Sequence, residues 1–471
     1  MLLLNLLVKP CWIFIIDRNV QLKVGHEEYG LYNALFSLSI IFNILLDFGI
    51  TNFNNRYIAS DQQRIGYSLP NMIAVKGILS LLYFFIVFVV AFIMNYHGRS
   101  LYLLCLLAIV QLLSSFLQYL RSNISASHDF KIDSFLSVFD KVLMILVCSV
   151  LLFSPKFESY FVIEWFIYAQ IGAYILTIII ALLITIRRYT QITFKHLSLD
   201  EMWRLCKGSL PYAVLILLMG IYMRSDTLML ERMDGAAENG IYAQAYRILD
   251  AANTFGLLFA GMLLSMFSRM ISKKLQIDEL VKTSTNILMP VSLACVAFSM
   301  FYATDIMNWL YHDQSEKLGY IYILLIACFP AFCLMYIYST LLTANGDIVL
   351  LIKIAFVGCL LSIGLNIALI PAQKALGAAT AAFLVEWILA FLFIYACYQR
   401  FALTLSWKWL LKFVWFFILL LGVNALFAYF NIKLLMAMML NAGVFLLMVY
   451  LVGLWDVNSI QGYLKQYKTE S

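Results

Sequence analysis

Along this chain, apolar runs of about twenty residues alternate with short polar breaks. A hydrocarbon core about 30 Å thick needs about 20 apolar residues in helix to cross it, because backbone in lipid must satisfy its own N–H and C=O groups. Fourteen such runs are predicted, over 2–16, 30–51, 70–94, 101–121, 134–153, 161–186, 208–230, 240–267, 280–303, 319–343, 348–370, 376–398, 409–430 and 432–454. The expected fold class is therefore an all-α polytopic membrane protein of about fourteen transmembrane helices. An even number puts both termini on one side of the membrane. The intervening loops, about 2 to 21 residues long, leave no room for an extramembrane catalytic domain.

Composition sharpens that picture. Hydrophobic residues make up 63% of the 471 and charged residues 12%, about half the roughly 25% charge of a soluble domain. The net charge of +6 comes from 32 scattered basic residues. Reading nucleic acid takes a concentrated basic face, so nucleic acid is not expected as a partner. Sorted by loop, 18 of the basic residues fall on the side holding both termini and 8 on the other. The positive-inside rule then assigns both ends to the cytoplasm. The start, apolar from Met1 to Leu7 with no basic segment before it and no A-x-A site, argues against a cleaved signal peptide. Eight of the nine cysteines sit inside apolar stretches and Cys206 lies beside one, with no CxxC pair and five dispersed histidines. Neither a disulfide frame nor a metal site is expected, and no cofactor.

One motif occurs twice. Gly25, Glu28, Gly30 and Tyr32 match Gly235, Glu238, Gly240 and Tyr242 at an offset of 210 residues, and Asn43 falls on Asn253. The offset spans six predicted helices, so the two copies share one orientation and are related by an axis along the membrane normal. Two six-helix bundles follow, 1–205 and 206–400, with two additional helices and a short cytoplasmic tail in 401–471. Paired bundles around a cleft are the architecture of an alternating-access carrier.

Charges inside the spans are the candidate chemistry, since each costs about 2.5–3.5 kcal/mol to insert at mid-bilayer. Arg224 and Asp226 lie in the seventh span, Arg247 and Asp250 in the eighth, Lys353 in the eleventh, Glu386 in the twelfth and Asp47 in the second. Arg247 and Asp250 share a helical face, whereas Arg224 and Asp226, two apart, do not. One reading makes these four a structural ion-pair cluster; the other makes Arg224 and Arg247 cavity cations that hold an anionic headgroup. Lys353, near the cytoplasmic end of its span, is a candidate either for the cavity or for snorkelling to the interface. Asp47, Asp226, Asp250 and Glu386 are candidates for ion coupling or for polar packing. Lys9 and Lys76, near helix ends, are expected to snorkel to the interface. Lys141 directly follows Asp140 and is not expected to pair with it. Tyr32, Tyr242 and Tyr246 are candidates to stack on sugar rings, although most of the 28 tyrosines suit the interfacial belts. Pro10, Pro290 and Pro330 interrupt spans and are candidate hinges.

Glu28-Tyr-Gly-Leu-Tyr followed by Leu46-Asp-Phe-Gly-Ile-Thr-Asn-Phe-Asn-Asn-Arg56, together with Ser225-Asp-Thr-Leu-Met-Leu and Gly240-Ile-Tyr-Ala-Gln-Ala-Tyr-Arg247, resembles the polysaccharide transporter family of lipid-linked oligosaccharide flippases. That family is grouped with the multidrug and toxin extruders and the lipid II flippase. The resemblance covers essentially the whole chain. It implies a MATE-like fold, a bacterial cytoplasmic membrane, and a cargo of undecaprenyl pyrophosphate carrying an O-antigen, capsule or exopolysaccharide repeat unit. It also implies membrane lipid and the polysaccharide polymerase and ligase machinery as partners, and Arg224, Arg247 and Lys353 as cavity cations. Family members usually open with a short polar segment, whereas the first span here begins at Met1 and is barely 15 residues long. Two other functions fit less well. A cation-coupled drug exporter calls for a carboxylate-dominated cleft, and a membrane glycosyltransferase or polymerase for large outer loops.

Overall fold

The structure, a computed structural model, describes residues 8, 10–49, 51, 65–127, 129–189, 199–401, 403–404 and 406–455, and only the backbone at 65–71, 126, 130, 158, 189 and 199–209. Residues 2–7 of the first predicted span, Lys9, Asn52–Arg56, Arg64, Lys195, Lys465 and Lys468 lie outside the described residues, as do the side chains of Arg204, Cys206 and Lys207.

Among the described residues the regular structure is helical. A π-helical turn, Trp12–Asp17, runs into α1, Arg18–Ile41, and a 3-10 turn follows over Asn43–Leu46. Then come α2 Ile65–Ile93, α3 Arg99–Ala126, α4 Phe130–Phe153, α5 Ile163–Tyr189, α6 Leu199–Asp234 and α7 Ala236–Ser272. The remainder is α8 Asp278–Tyr311, α9 Glu316–Ile326, α10 Phe329–Asn345, α11 Ile348–Gln373, α12 Ala375–Arg400, α13 Trp407–Tyr429 and α14 Leu434–Leu451.

Twelve stretches among the described residues are long and apolar enough to cross a membrane, against fourteen expected. The shortfall is at the start. The predicted second span, 30–51, is not one helix: α1 begins at Arg18, breaks at Gly25 (φ +82°) and stops at Ile41. Its polar residues Arg18, Lys23, Glu27 and Glu28 dilute the apolar window.

The proline hinges also resolve differently. Pro290 sits inside α8, whose non-helical residue is Tyr302 instead. Pro330 occupies the first turn of α10, where a missing N–H costs nothing. The carbonyl of Ala327, in the break before it, accepts a hydrogen bond from Trp387 Nε1 at 3.0 Å.

The chain forms two compact units, 1–244 with 355–378 and 245–354 with 379–471. In the first, α5 packs along α3 and α4, and α1 lies between α3 and α6. Its interior is tyrosine-rich, with Tyr29, Tyr83, Tyr96 and Tyr119 fully buried. At one end, which carries residues 94–98, 154–162, 235 and 374, Arg99 grips both oxygens of Glu28 at 2.7 and 2.8 Å and donates to Glu164 at 2.8 Å. In the second unit α8 is central, against α9, α10, α13 and α14. Asn286 of α8 anchors the last two helices, taking one hydrogen bond from Trp409 at 2.8 Å and one from Trp455 at 3.0 Å. The exposed faces carry large apolar side chains such as Phe92, Phe391, Trp415 and Met439. Exposed to water, surfaces of that kind aggregate; facing lipid they need no cover. The protein is a multi-pass membrane protein.

Candidate functional site

The repeated motif shapes its own surroundings. Gly25 and Gly235 both take positive φ, +82° and +99°, with open space where a side chain would go, so each is needed for its backbone conformation. Gly30 and Gly240 are needed for space. A methyl on Gly30 would overlap the Ala236 carbonyl, and one on Gly240 would overlap the His26 carbonyl. Asn239 Nδ2 donates to the Gly30 carbonyl at 2.8 Å and Gln21 Nε2 to the Gly240 carbonyl at 3.2 Å. The helix 26–41 thus lies against the end of α6 and the start of α7, backbone to backbone.

The tyrosines of the motif are not open to a sugar. Tyr32, Tyr242 and Tyr246 are buried. Gln170 donates to the Tyr32 hydroxyl at 3.3 Å, and the Tyr242 hydroxyl donates to Asp226. Ring stacking on cargo is therefore corrected to structural packing for all three.

The expected charges fall into two groups, one in each unit. In the first unit Asp226 is 5% exposed, holding the Thr227 N–H at 2.7 Å as well as the Tyr242 hydroxyl. Arg224 is half-buried and acts on it by charge. Asp47, the other candidate there, caps the turn after the 3-10 segment and takes the Thr51 hydroxyl and the Lys76 ammonium, the latter at 3.0 Å. Lys76 does not snorkel. It is 4% exposed and also donates to the Leu46 carbonyl at 3.1 Å and Ser115 Oγ at 2.9 Å. The expectation failed because Lys76 lies well inside α2, where a buried ammonium is tolerable only with partners. Lys141 also departs from expectation. Its flexible stem brings Nζ within 3.3 Å of Asp140, 3.4 Å of the Tyr174 hydroxyl and 5.7 Å of the Trp12 ring centre.

In the second unit Arg247 Nη1 meets Asp250 at 3.2 Å, one turn along the same face. That is longer than the roughly 2.7–2.9 Å of a tight charge-assisted hydrogen bond. Gly256 lets α7 lie directly on the Tyr336 ring of α10, since a methyl there would come within 2.6 Å of it. Glu386 of α12 is 5% exposed. Lys353 stands exposed near the start of α11.

Three buried acids, Asp17, Asp133 and Glu231, escaped the sequence reading because they sit at predicted loop boundaries. Asp17 takes the Tyr29 hydroxyl at 2.7 Å, and Glu231 takes the Tyr96 hydroxyl at 2.7 Å beneath Arg232, whose guanidinium lies 3.7 Å from the Tyr96 ring centre. Burial and the Glu231 carboxylate push the Tyr96 phenol well above its ordinary range. For Asp17 a signal was available: like Asp226, it precedes the first glycine of its motif by about two helical turns.

The sequence model of the Polysaccharide biosynthesis protein family matches residues 20–271, more than half of the chain. No curated protein matches. Among solved structures, the lipid II flippase MurJ in an inward closed conformation superposes with a TM-score of 0.71 at 15% identity, over 96% of this chain and 98% of that one. A multidrug resistance MATE family transporter of the MOP superfamily, inward-facing, gives 0.62 at 15% identity over 85% and 94%. The Vibrio cholerae MATE transporter VcmN in its bent form gives 0.52 at 15% identity over 85% and 94%. At such identities the likeness concerns the fold, which is MurJ- and MATE-like.

Proposed function

The chain belongs to the Polysaccharide biosynthesis protein family, and from that premise we propose that it is a flippase, not an enzyme, moving an undecaprenyl-pyrophosphate-linked oligosaccharide from the cytoplasmic to the outer leaflet. The bundles 1–205 and 206–400 rock about the cargo, and 401–471 adds two helices. The headgroup passes between the bundles while the polyprenyl tail stays in lipid. The membrane is the bacterial cytoplasmic membrane, with both termini inside. The cargo is an O-antigen, capsule or exopolysaccharide unit that polymerase and ligase use next.

The observation that carries this reading is the pairing of Arg247 with Asp250 at 3.2 Å, with the two side chains 14% and 22% exposed. A partly exposed guanidinium suits a pyrophosphate, which brings more charge and a better bidentate geometry than one carboxylate. Arg224 and Lys353 supply further positive charge. Moving an anion out of a negative interior gains about 2.3 kcal/mol per charge per 100 mV, so the membrane potential favours export. The test is Arg224→Glu with Arg247→Glu: surface polysaccharide is lost while the protein stays in the membrane at normal abundance. Full export by that double variant removes both arginines from the site.

A second reading has its own support. The second unit holds two of the candidate carboxylates, Asp250 and the buried Glu386, with one candidate arginine, and a carboxylate-rich set suits an exporter of organic cations driven by an ion gradient. Drug sensitivity on gene deletion, with normal surface polysaccharide, selects it.

A further inference from the structure

We propose that the last turns of α5 bind one anionic phospholipid, with its phosphate on Arg187 and Arg188 and an acyl chain along Ile180, Leu183 and Ile184. The inference goes beyond transport. It takes from that reading only the orientation that puts this end of α5, opposite residues 154–162, at the cytoplasmic leaflet.

The pattern begins in the sequence. Ile180, Leu183, Ile184, Arg187 and Arg188 stand at i, i+3, i+4, i+7 and i+8, one face of a helix. A face packed into protein would stay apolar to its end, and this one turns cationic. From residue 180 to 188 it runs about 12 Å at 1.5 Å per residue, most of one leaflet of a hydrocarbon core about 30 Å thick. Apolar wall and then positive charge is the order in which a phospholipid presents its chain and its phosphate.

The fold opens that face as a groove. The five side chains line a space of about 220 Å³. Leu176, Ile179 and Leu183 are exposed along the adjoining surface of α5, so the groove is bordered by the bilayer. That border selects a membrane lipid as the occupant. Arg188 is positioned by Asp129, in the turn between α3 and α4, which accepts from its Nη1 at 2.8 Å. One such contact leaves most of the five guanidinium N–H donors open, and the side chain is still 59% exposed. Arg187 is exposed and forms no ion pair among the described residues. Lys131, exposed two residues beyond Asp129, adds positive charge to the same end.

Two guanidiniums against one carboxylate leave a net cation at headgroup depth, and a guanidinium binds phosphate oxygens in pairs. Basic grooves on the cytoplasmic side of helix bundles hold anionic headgroups in this way. Arginines in a last helical turn also complement the helix dipole, but that role requires no groove beneath them. Nor does a groove alone suffice. One of about 250 Å³ at the other end of the same unit, lined by Asn19, Leu22, Lys23, Leu152 and Phe153, has a single cation and lacks the arginine pair.

The test is lipid retention by the full-length protein in mild detergent, titrated with phosphatidylglycerol and read by native mass spectrometry. Wild type is expected to keep one phosphatidylglycerol through a wash that removes phosphatidylcholine. Arg187→Gln with Arg188→Gln should weaken binding about tenfold, and Arg187→Gln alone, which breaks no ion pair, about threefold. Lys273→Gln with Lys274→Gln takes the same charge from the exposed turn after α7 and should leave binding unchanged. Wild-type affinity in both arginine variants, an equal loss in the lysine variant, or equal retention of phosphatidylcholine overturns the site. Displacement by millimolar inorganic phosphate assigns the arginines to a free anion, and displacement by an equal amount of undecaprenyl phosphate assigns them to the cargo; either overturns the phospholipid. Binding is read without transport, so its failure is distinct from that of the flippase reading, which normal surface polysaccharide on gene deletion would refute.

Discussion

Lys76–Asp47 and Arg247–Asp250 are the same kind of pair in two settings. Lys76 is sunk in the first unit and held by a carboxylate, a carbonyl and a hydroxyl, so its three donors converge on fixed acceptors. Arg247 meets Asp250 at a longer 3.2 Å, with the side chains 14% and 22% exposed. Burial with full coordination makes a charge structural. A partly exposed guanidinium still presents surface to a ligand. By sequence Arg247 reads as a costly intramembrane charge and Lys76 as a snorkelling one, and their surroundings reverse which of the two is sunk in the protein.

The comparison can be broken by substitution. Lys76→Met takes the cation from the half-buried Asp47 and leaves the Leu46 carbonyl and Ser115 hydroxyl without their donor, and should have the largest effect. About 3–5 kcal/mol of stability is expected to go, read as loss of folded protein in detergent and in membranes. Arg247→Gln should leave folded abundance near wild type and lower export about tenfold, equivalent to about 1.4 kcal/mol. Equal losses of abundance in the two variants would erase the distinction. Asp250→Asn removes the carboxylate charge 3.2 Å from Arg247 and should change export by only about threefold, or roughly 0.7 kcal/mol, with unaltered abundance. The smallest effect is expected for Tyr96→Phe, which removes one hydrogen bond to Glu231 and should cost about 0.5 kcal/mol in thermal stability, with Arg232 still holding that carboxylate.

Most of the helices were legible because lipid demands a length and a hydropathy that few other sequences satisfy. The second predicted span was not, because Gly25 breaks α1 and the polar stretch through Glu28 belongs to a helix rather than a loop. Lys76 was misread because its partners, Asp47 and Ser115, lie 29 and 39 residues away and spacing along a helix says nothing about them. Arg247 and Asp250 were legible as neighbours because three residues make one turn. Gly30 and Gly240 were visible as a repeat, but their use as seats for the opposing carbonyls of Ala236 and His26 emerged only in three dimensions. Tyr32 and Tyr242 show the limit of residue type as a guide: by sequence they suit an interfacial belt or, less well, a sugar platform, and hydroxyl bonds to Gln170 and Asp226 turn them inward instead.

The central claim is that this chain moves a lipid-linked oligosaccharide across the membrane, and a leaflet assay tests it most directly. In a strain lacking the gene, complete lipid-linked repeat units should accumulate on the cytoplasmic face, inaccessible to a glycosidase added outside, and return of the gene should expose them. Accumulation of finished units on the outer face in the deleted strain would contradict it.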